Sequence, residues 1–227
     1  MTQTEFGSKE RNKQKMRKKI MVMGSMCDPP HLGHVEIVKT IQRIGANEVR
    51  FVISGSRQDK IEKVGTEHRI RMSIINFRRE LMEENQYPKF NLDFENAEGK
   101  NIPTIIYLEN LQKKFGDSEI FFVTGIDVLV PEEKLDGKCA VESFWFRGKE
   151  LMENWSWIVF PRRGYLHPAT IELPNNFRCI NKYHPKISST EIRDKISNGE
   201  PFEHLVVPKV AKYIKTQNLY GYRGEKK

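Results

Sequence analysis

Cysteine is scarce in this sequence, which has three thiols among 227 residues, at Cys27, Cys139 and Cys179. Their number is odd and their spacing matches no disulfide framework, so a small secreted domain held by disulfides is not expected. No Cys-x-x-Cys pair occurs, which argues against a zinc ribbon. Thiols stay free in reducing compartments, and we therefore predict a cytoplasmic protein.

Long apolar runs are absent as well. No apolar stretch approaches the roughly 20 residues that cross a bilayer, and the N-terminus has no apolar segment typical of a signal peptide. We expect no membrane partner. Residues 20–221 contain no internal repeat, no low-complexity segment and no convincing linker. A chain of 227 residues is long enough for one full core, and we predict a single domain over residues 19–221.

Acidic residues are outnumbered, since 38 Lys and Arg stand against 30 Asp and Glu, for a formal net charge of +8. Residues 1–19 hold seven basic and two acidic side chains and supply +5 of it. The leader, residues 1–18, is polar and basic and is predicted to be disordered and dispensable. Residues 222–227 form a second, short basic tail. A solvated tail is favoured over a nucleic-acid-binding arm or a nuclear-import signal, which stay as alternatives.

One segment concentrates chemistry-bearing residues: Gly24-Ser25-Met26-Cys27-Asp28-Pro29-Pro30-His31-Leu32-Gly33-His34. Residues 20–23 before it are apolar and residues 35–44 after it are amphipathic, so the pattern predicts strand, tight turn and helix. A helix that begins near Gly33 turns its free N–H groups and positive dipole end toward the same place as the two histidines. Backbone donors, a dipole and two imidazoles at one place suit a polyphosphate. Two incidental surface histidines, or a metal pair with only Asp28 nearby, are the alternatives.

A second motif stands near the C-terminus, Ile187-Ser188-Ser189-Thr190-Glu191-Ile192-Arg193. Hydroxyl residues before an apolar-periodic run predict a helix N-terminus with Ser188 or Ser189 as the N-cap. Arg193 falls about one turn later, so hydroxyls, free amides and a guanidinium could hold an anion together. An ordinary capped helix with an exposed arginine is the alternative.

Strand and helix patterns alternate along the chain. Strands are predicted at 20–25, 49–54, 90–95, 119–124, 155–160 and 177–181, and helices at 33–44, 67–84, 103–115, 142–153, 189–197 and 205–216. This alternation predicts an α/β fold with a Rossmann-like, doubly wound parallel sheet. Ligands of such sheets bind beyond the carboxyl ends of the strands, where the first motif, residues 54–60 and residues 125–127 should lie.

The two motifs together resemble the H-x-G-H and I-S-S-T-x-x-R signatures of the nucleotidyltransferase superfamily. Within it, residues 19–221 are most similar to the nicotinate/nicotinamide mononucleotide adenylyltransferases. Further segments that resemble this family are Thr66–Met72 (H-R-x-x-M), Thr124–Asp127 (G-x-D), Trp145 with Glu150–Met152, Phe160–Tyr165 (R-x-G-Y) and Val207–Tyr220. Pantetheine-phosphate adenylyltransferases share both motifs, although they usually have Thr at the place of His31, and the cytidylyltransferases for glycerol phosphate or choline phosphate match fewer segments.

The resemblance implies adenylyl transfer from ATP to a pyridine mononucleotide, with Mg²⁺ bridging phosphates, no metal site of the protein's own, and a homo-oligomer as one allowed assembly. It implies catalytic roles for His31, His34 and Arg193. The ATP-binding positions would be Gly24, Ser25, Met26, His34, Gly125, Asp127, Ile187, Ser188, Ser189 and Arg193, and the mononucleotide-binding positions Lys60, Thr104, Trp145 and Arg162.

Some positions depart from the family pattern. Met26 and Cys27 replace a hydroxyl residue and Phe, and the family's Pro-His-Lys segment is not recognisable, so that only Lys60 could take the place of its lysine. For Trp145 a core position is an equal alternative. These departures and the basic leader keep a catalytically weak nucleotide-binding or nucleic-acid-binding protein open as a rival from another class.

Overall fold

A computed structural model describes residues 17–55, 62–78, 88–162, 164–165, 172–181 and 186–224. Its centre is one parallel sheet of six strands in the order β3-β2-β1-β4-β5-β6. The strands are β1 (Lys19–Ser25), β2 (Glu48–Ile53), β3 (Lys89–Asp93), β4 (Glu119–Gly125), β5 (Ser156–Phe160) and β6 (Phe177–Cys179). The strand order reverses between β1 and β4, which pair directly, so the predicted doubly wound sheet is confirmed.

Helices follow the strands. They are α1 (Leu32–Arg43), α2 (Thr66–Asn76), α3 (Thr104–Phe115), α4 (Ala140–Phe144), α5 (Gly148–Asn154), α6 (Ser189–Asn198) and α7 (Pro208–Thr216). Short helical turns lie at Asn96–Lys100, Ile126–Val128, Glu133–Leu135, Glu203–Leu205 and Leu219–Gly221. No helix in the described ranges is both long enough and apolar enough to cross a bilayer.

Both faces of the sheet are buried, because successive side chains of a strand point to opposite faces. In β1, Met21 and Met23 join one core cluster with Val38 of α1, whereas Ile20 and Val22 join another with residues of α3. A third cluster, formed by α2, α6 and α7 around Met72, Ile192, Val210 and Ile214, lies apart from these two. This C-terminal cluster fixes α6, which carries the second motif.

Several predicted boundaries were wrong. The helix predicted at 142–153 is two helices, α4 and α5, because Arg147 between them adopts a positive φ of 53°. Gly148 then passes so close to α4 that a Cβ there would lie 1.9 Å from the Val141 carbonyl oxygen. The last helix begins at Pro208 rather than at residue 205, and Pro103 precedes α3 instead of opening it. Helix α2 ends at Asn76, and the end predicted at residue 84 lies outside the described residues.

The edge of the sheet where the strands begin holds a buried carboxylate. Glu48, with 2% of its side chain exposed, lies 2.5 Å from Lys18 Nζ and 2.6 Å from Arg50 Nη2. Burial by itself would raise the pKa of Glu48, but the two cations outweigh it and the pKa is lowered. The Lys18 carbonyl also accepts a hydrogen bond from the Glu119 amide at 2.8 Å. Lys18, placed by its composition in the leader, therefore contacts the folded domain.

We expect Glu48→Gln to destabilise the protein in a pH-dependent way. Since the folded-state pKa lies below the ordinary value of 4.5, the carboxylate stabilises the fold at pH values above 4.5, and this contribution is lost as pH falls through the folded-state pKa. The loss at pH 7 should be about 2 kcal/mol, as for hydrogen bonds to charged groups. Urea unfolding at pH 7 and pH 3.5 measures it, with the half-exposed Glu36→Gln as control; a loss equal at both pH values would contradict the assignment.

Candidate active site

The first motif forms a turn at the carboxyl end of β1, beside the point where the strand order reverses. Met26 and Cys27, the two positions that depart from the family pattern, are buried, with 5% and 1% of their surface exposed. Cys27 has a positive φ of 52° and donates its backbone N–H to Ser25 Oγ at 3.2 Å. Both side chains are therefore turned away from solvent, and that of Cys27 belongs to the core cluster of Met21 and Met23.

The two histidines of the turn form one stacked pair. His31 directly precedes α1 and His34 lies in its first turn, with ring centroids 3.8 Å apart and 26° between the ring planes. His34 Nδ1 accepts the His31 backbone N–H at 3.2 Å, which leaves the proton of the neutral ring on Nε2. His34 Nε2 is 2.9 Å from Ser25 Oγ and can donate to it. The ring of His34 is thus held with a proton donor at the edge of the turn, next to the N-terminus of α1.

Gly33 is needed for this stacking. A Cβ at position 33 would lie 2.9 Å from His31 Nδ1, 3.0 Å from His31 Cε1 and 3.9 Å from the Cβ of Ile187. Gly33 of the first motif therefore also lies next to Ile187, the first residue of the second motif.

We expect Gly33→Ala to lower kcat by at least about tenfold, because the displaced His31 ring can no longer stack in place; losing one preorganised donor typically costs more than this, about 10²–10³. Stability should not fall in parallel, since alanine favours a helix interior by up to ~1 kcal/mol over glycine. Steady-state kinetics and thermal melting test this. Gly65→Ala is the matched control, because Gly65 precedes α2 and a Cβ there meets nothing within 4 Å; equal kinetics of both variants would refute the assignment.

The second motif docks onto the first. Ser188 is the N-cap of α6 and accepts the Glu191 N–H at 3.1 Å, which confirms the predicted helix start. Ser189 Oγ donates to the Pro29 carbonyl at 2.9 Å, and Arg193 Nη1 donates to the Asp28 carbonyl at 2.7 Å. Ser189 and Arg193, two of the residues predicted to share one anion, are therefore joined to the histidine turn from about 160 residues away, whereas the Ser188 hydroxyl caps its own helix.

Arg69, to which no role was assigned from the sequence, lies in the H-R-x-x-M segment at the start of α2. Its side chain is fully buried, and Nη1 donates to the Met26 carbonyl at 3.0 Å and to the Ser54 carbonyl at 2.7 Å. Nη2 lies 3.3 Å from Thr66 Oγ1. Arg69 thus joins the turn after β1 to the end of β2. The buried charge could not be recognised from local sequence, in which arginine usually indicates an exposed position.

Gly125 and Asp127 lie at the same edge, at the end of β4. A Cβ on Gly125 would lie 2.4 Å from Asp127 Oδ1, so only glycine lets this carboxylate fold back over the strand end. The carboxylate is ion-paired with the guanidinium of Arg162, which follows β5. Two side chains that the family resemblance assigns to different ligands therefore contact each other. Gly24 belongs to the same edge, where it pairs in register with Val52 of β2.

The other predicted mononucleotide positions are not gathered into one cluster by the contacts described. Thr104 opens α3, and Trp145 packs edge-on against Phe122, with ring centroids 5.7 Å apart. Phe122 belongs to the buried layer three residues before the end of β4, which agrees with the core alternative for Trp145. Lys60 lies outside the described residues. The roles of these three residues in binding stay predictions.

In the described part of the chain, no three His, Cys, Asp or Glu side chains are grouped so that they could hold a metal ion. The carboxylate of Asp28 accepts hydrogen bonds at both oxygens, and that of Asp127 is paired with Arg162.

The chain is similar to known proteins over most of its length. Two curated relatives, from Bacillus pumilus and Clostridium novyi, are 27% and 28% identical over 204 and 215 residues; each match covers 89% of this chain and 98% or 99% of the relative. Both bear the name "Probable nicotinate-nucleotide adenylyltransferase". The structure of Plasmodium falciparum nicotinic acid mononucleotide adenylyltransferase complexed with NaAD has the same fold, with a TM-score of 0.71 at 22% identity, covering 91% of this chain and 99% of that one.

A sequence model described as cytidylyltransferase-like matches residues 22–195. The match runs from within β1 to beyond Arg193, so it spans both motifs and the sheet edge at which they meet. The chain belongs to the cytidylyltransferase-like family.

Proposed function

We propose that this protein transfers the adenylyl group of ATP to nicotinate mononucleotide, releasing pyrophosphate and forming the dinucleotide, a step of NAD biosynthesis. One observation carries the proposal: Ser189 and Arg193 hydrogen-bond to the carbonyls of Pro29 and Asp28, beside the stacked histidines and the N-terminus of α1. Donors from two distant segments thus surround one place at the carboxyl edge of the sheet, where a triphosphate would lie. The names of the two curated relatives support the same activity.

The reaction requires little covalent chemistry from the protein. An oxygen of the mononucleotide 5′-phosphate attacks the α-phosphorus in line, a new P–O bond forms, and the bond to the bridging oxygen breaks as pyrophosphate leaves. The protein must align the two phosphates and neutralise charge that grows on the equatorial oxygens and the leaving group.

In this proposal each donor has its own place along the triphosphate. His34, with its Nε2 proton, and His31 would donate to the α-phosphate next to the N-terminal amides of α1. Ser188, Ser189 and Arg193 would hold the β- and γ-phosphates. Mg²⁺ bound to the triphosphate would neutralise further charge, since magnesium commonly binds through substrate phosphates with few protein ligands. Asp127 would seat the nucleotide once its pairing with Arg162 is exchanged for ligand contacts.

The decisive experiment incubates pure protein with ATP, Mg²⁺ and either nicotinate or nicotinamide mononucleotide and separates the products by chromatography. We expect the dinucleotide and pyrophosphate in equal amounts. Parallel reactions with CTP and glycerol phosphate, and with ATP and 4′-phosphopantetheine, test the two related transferase activities. Turnover only in one of these, or binding of ATP without any turnover, would overturn the proposal.

We also expect nicotinate mononucleotide to be the preferred acceptor. The segments around Trp145 and Phe160–Tyr165 resemble the bacterial-type enzymes, whose acceptor carries a pyridine carboxylate. In a site that binds the pyridine carboxylate through amide donors, the N–H groups of the neutral amide would face those donors and leave them unpaired. We therefore expect kcat/KM to be about 100-fold (~2.7 kcal/mol) higher for nicotinate mononucleotide than for nicotinamide mononucleotide. Measuring kcat/KM for both acceptors decides this; equal values or the reverse order would refute the preference.

A further inference from the structure

A tyrosine from the far end of the chain reaches the histidine turn. Tyr220, in the short turn Leu219–Gly221, donates its hydroxyl to Asp28 Oδ1 at 2.8 Å, across 192 positions of sequence. Burial raises the pKa of the Tyr220 phenol and the neighbouring Asp28 charge raises it further, so the hydroxyl stays protonated and acts as the donor. Leu219, which is buried in the cluster of α2, α6 and α7, fixes this turn to the domain.

Asp28 is the residue at which several parts of the site meet. Its carboxylate is buried, with 3% of the residue exposed, and its second oxygen accepts the Lys63 backbone N–H at 2.5 Å. Its carbonyl accepts Arg193 Nη1 at 2.7 Å. Asp28, together with Thr190 Oγ1 at 3.0 Å from Arg193 Nη2, therefore holds the guanidinium of Arg193 beside the turn that carries the stacked histidines.

A buried carboxylate this close to a triphosphate would repel it unless its oxygens were turned toward donors elsewhere. Tyr220 and the Lys63 amide take one carboxylate oxygen each, and both are uncharged donors. The carboxylate therefore stays fixed without using a cation that the phosphates need, and Arg193 can face the ligand while bonded to the Asp28 carbonyl.

We propose that Tyr220 is a positioning residue for ATP: its hydroxyl holds Asp28, and through the Asp28 carbonyl it holds Arg193, in the arrangement that binds the triphosphate. The residue touches no substrate and acts through Asp28 alone. This inference rests on the proposed function for the identity of the ligand, and it adds to the H-x-G-H and I-S-S-T-x-x-R motifs a third element, the C-terminal turn.

The test removes only the hydroxyl, in Tyr220→Phe. The KM for ATP should rise about five- to tenfold, because one of the two contacts that hold Arg193 is weakened. The KM for the mononucleotide should stay within about twofold, since the proposed function places Arg193 at the triphosphate. Tyr213→Phe is the matched control: it lies in α7 of the same C-terminal region, and its hydroxyl is 3.0 Å from His68 Nδ1, away from Asp28. That variant should leave both KM values unchanged.

A double-mutant cycle with Asp28→Ala, which removes both carboxylate acceptors, shows whether the effect passes through Asp28. If it does, adding Tyr220→Phe to Asp28→Ala should change ATP affinity by less than about twofold, since the two changes remove one coupled interaction. Full additivity would overturn the proposal, as would Tyr220→Phe with wild-type KM for ATP or with both KM values raised equally. Should Tyr220→Phe not fold, Asp28→Ala alone must raise the KM for ATP selectively, or the proposal fails.

Calorimetric titration with a non-hydrolysable ATP analogue separates this inference from the proposed activity. If the wild-type protein binds the analogue but converts no mononucleotide, the proposed function is refuted. The positioning role would still be tested there, because Tyr220→Phe must weaken analogue binding about five- to tenfold and Tyr213→Phe must not. Equal affinity of wild type and Tyr220→Phe for the analogue would overturn the positioning role whatever the turnover.

Discussion

His34→Ala should lose most of its turnover while still binding ATP. The imidazole is held by the His31 N–H at Nδ1 and lies 2.9 Å from Ser25 Oγ at Nε2, so its donor is oriented before substrate arrives. Removing one preorganised donor to charge that grows in the transition state typically costs about 10²–10³ in kcat (~3–4 kcal/mol). ATP affinity should stay within about tenfold (~1.4 kcal/mol), because Arg193, the N-terminus of α6 and Mg²⁺ still hold the triphosphate.

Single-turnover kinetics and calorimetric titration with an ATP analogue measure the two quantities separately. His204→Ala is the control, since His204 is exposed in the turn Glu203–Leu205 and should not affect either. If His34 were only a packed side chain, its removal would lower the melting temperature and leave the specific activity of the folded fraction intact. A kcat near the wild-type value with either mononucleotide would remove the assigned role and favour a non-enzymatic nucleotide-binding protein.

Arg193→Ala should reduce kcat/KM for ATP by about 10³ (~4 kcal/mol), the larger share of it in KM. The guanidinium would contact the β- and γ-phosphates, which are charged in the bound substrate as well as in the transition state. Its bond to the Asp28 carbonyl at 2.7 Å and its contact with Thr190 Oγ1 at 3.0 Å hold it in place for this. The effect should therefore differ in kind from that of His34→Ala, which acts mainly on kcat.

Two further variants sharpen this comparison. Arg193→Lys keeps the positive charge but loses the paired donors, and we expect it to restore less than half of the lost free energy. Lys195→Ala, two residues along the same helix and paired with Glu200 at 3.2 Å, should be kinetically silent. An Arg193→Ala variant with wild-type KM for ATP would show that the guanidinium only ties the turn to α6.

The fold could be predicted from the sequence because its signals are local. Residues 119–123 and 157–160 are short apolar runs bounded by Gly or Pro, and both lie in buried strands, β4 and β5. The meeting of the two motifs was implied only by the family resemblance, because the local pattern of residues 187–193 predicts a capped helix but not where that helix packs.

The parts that could not be predicted depend on contacts between distant residues. The break before α5 lies at Arg147, whose Nη1 donates a hydrogen bond to Glu109 of α3 at 2.9 Å. The apolar periodicity of residues 142–153 does not indicate this contact, so it predicts one continuous helix. From the sequence, Lys18 cannot be told apart from the other basic residues of the leader, and only the fold shows that it pairs with Glu48. The same holds for Tyr220, whose partner Asp28 lies 192 positions away. In each case a charged or polar side chain contacts a residue far away in the sequence, and local sequence patterns cannot identify that residue.

The contact between Asp28 and Tyr220 has a consequence for biosynthesis. At a ribosomal rate of about 5–20 residues per second, Asp28 is polymerised roughly 10–40 s before Tyr220. During that interval the Asp28 carboxylate lacks the hydrogen bond from Tyr220, and the proposed nucleotide site of the nascent chain is incomplete. Translation products that stop short of Tyr220, and products of proteolysis in the last helix, should therefore be impaired in ATP binding even where the six-stranded sheet has already formed.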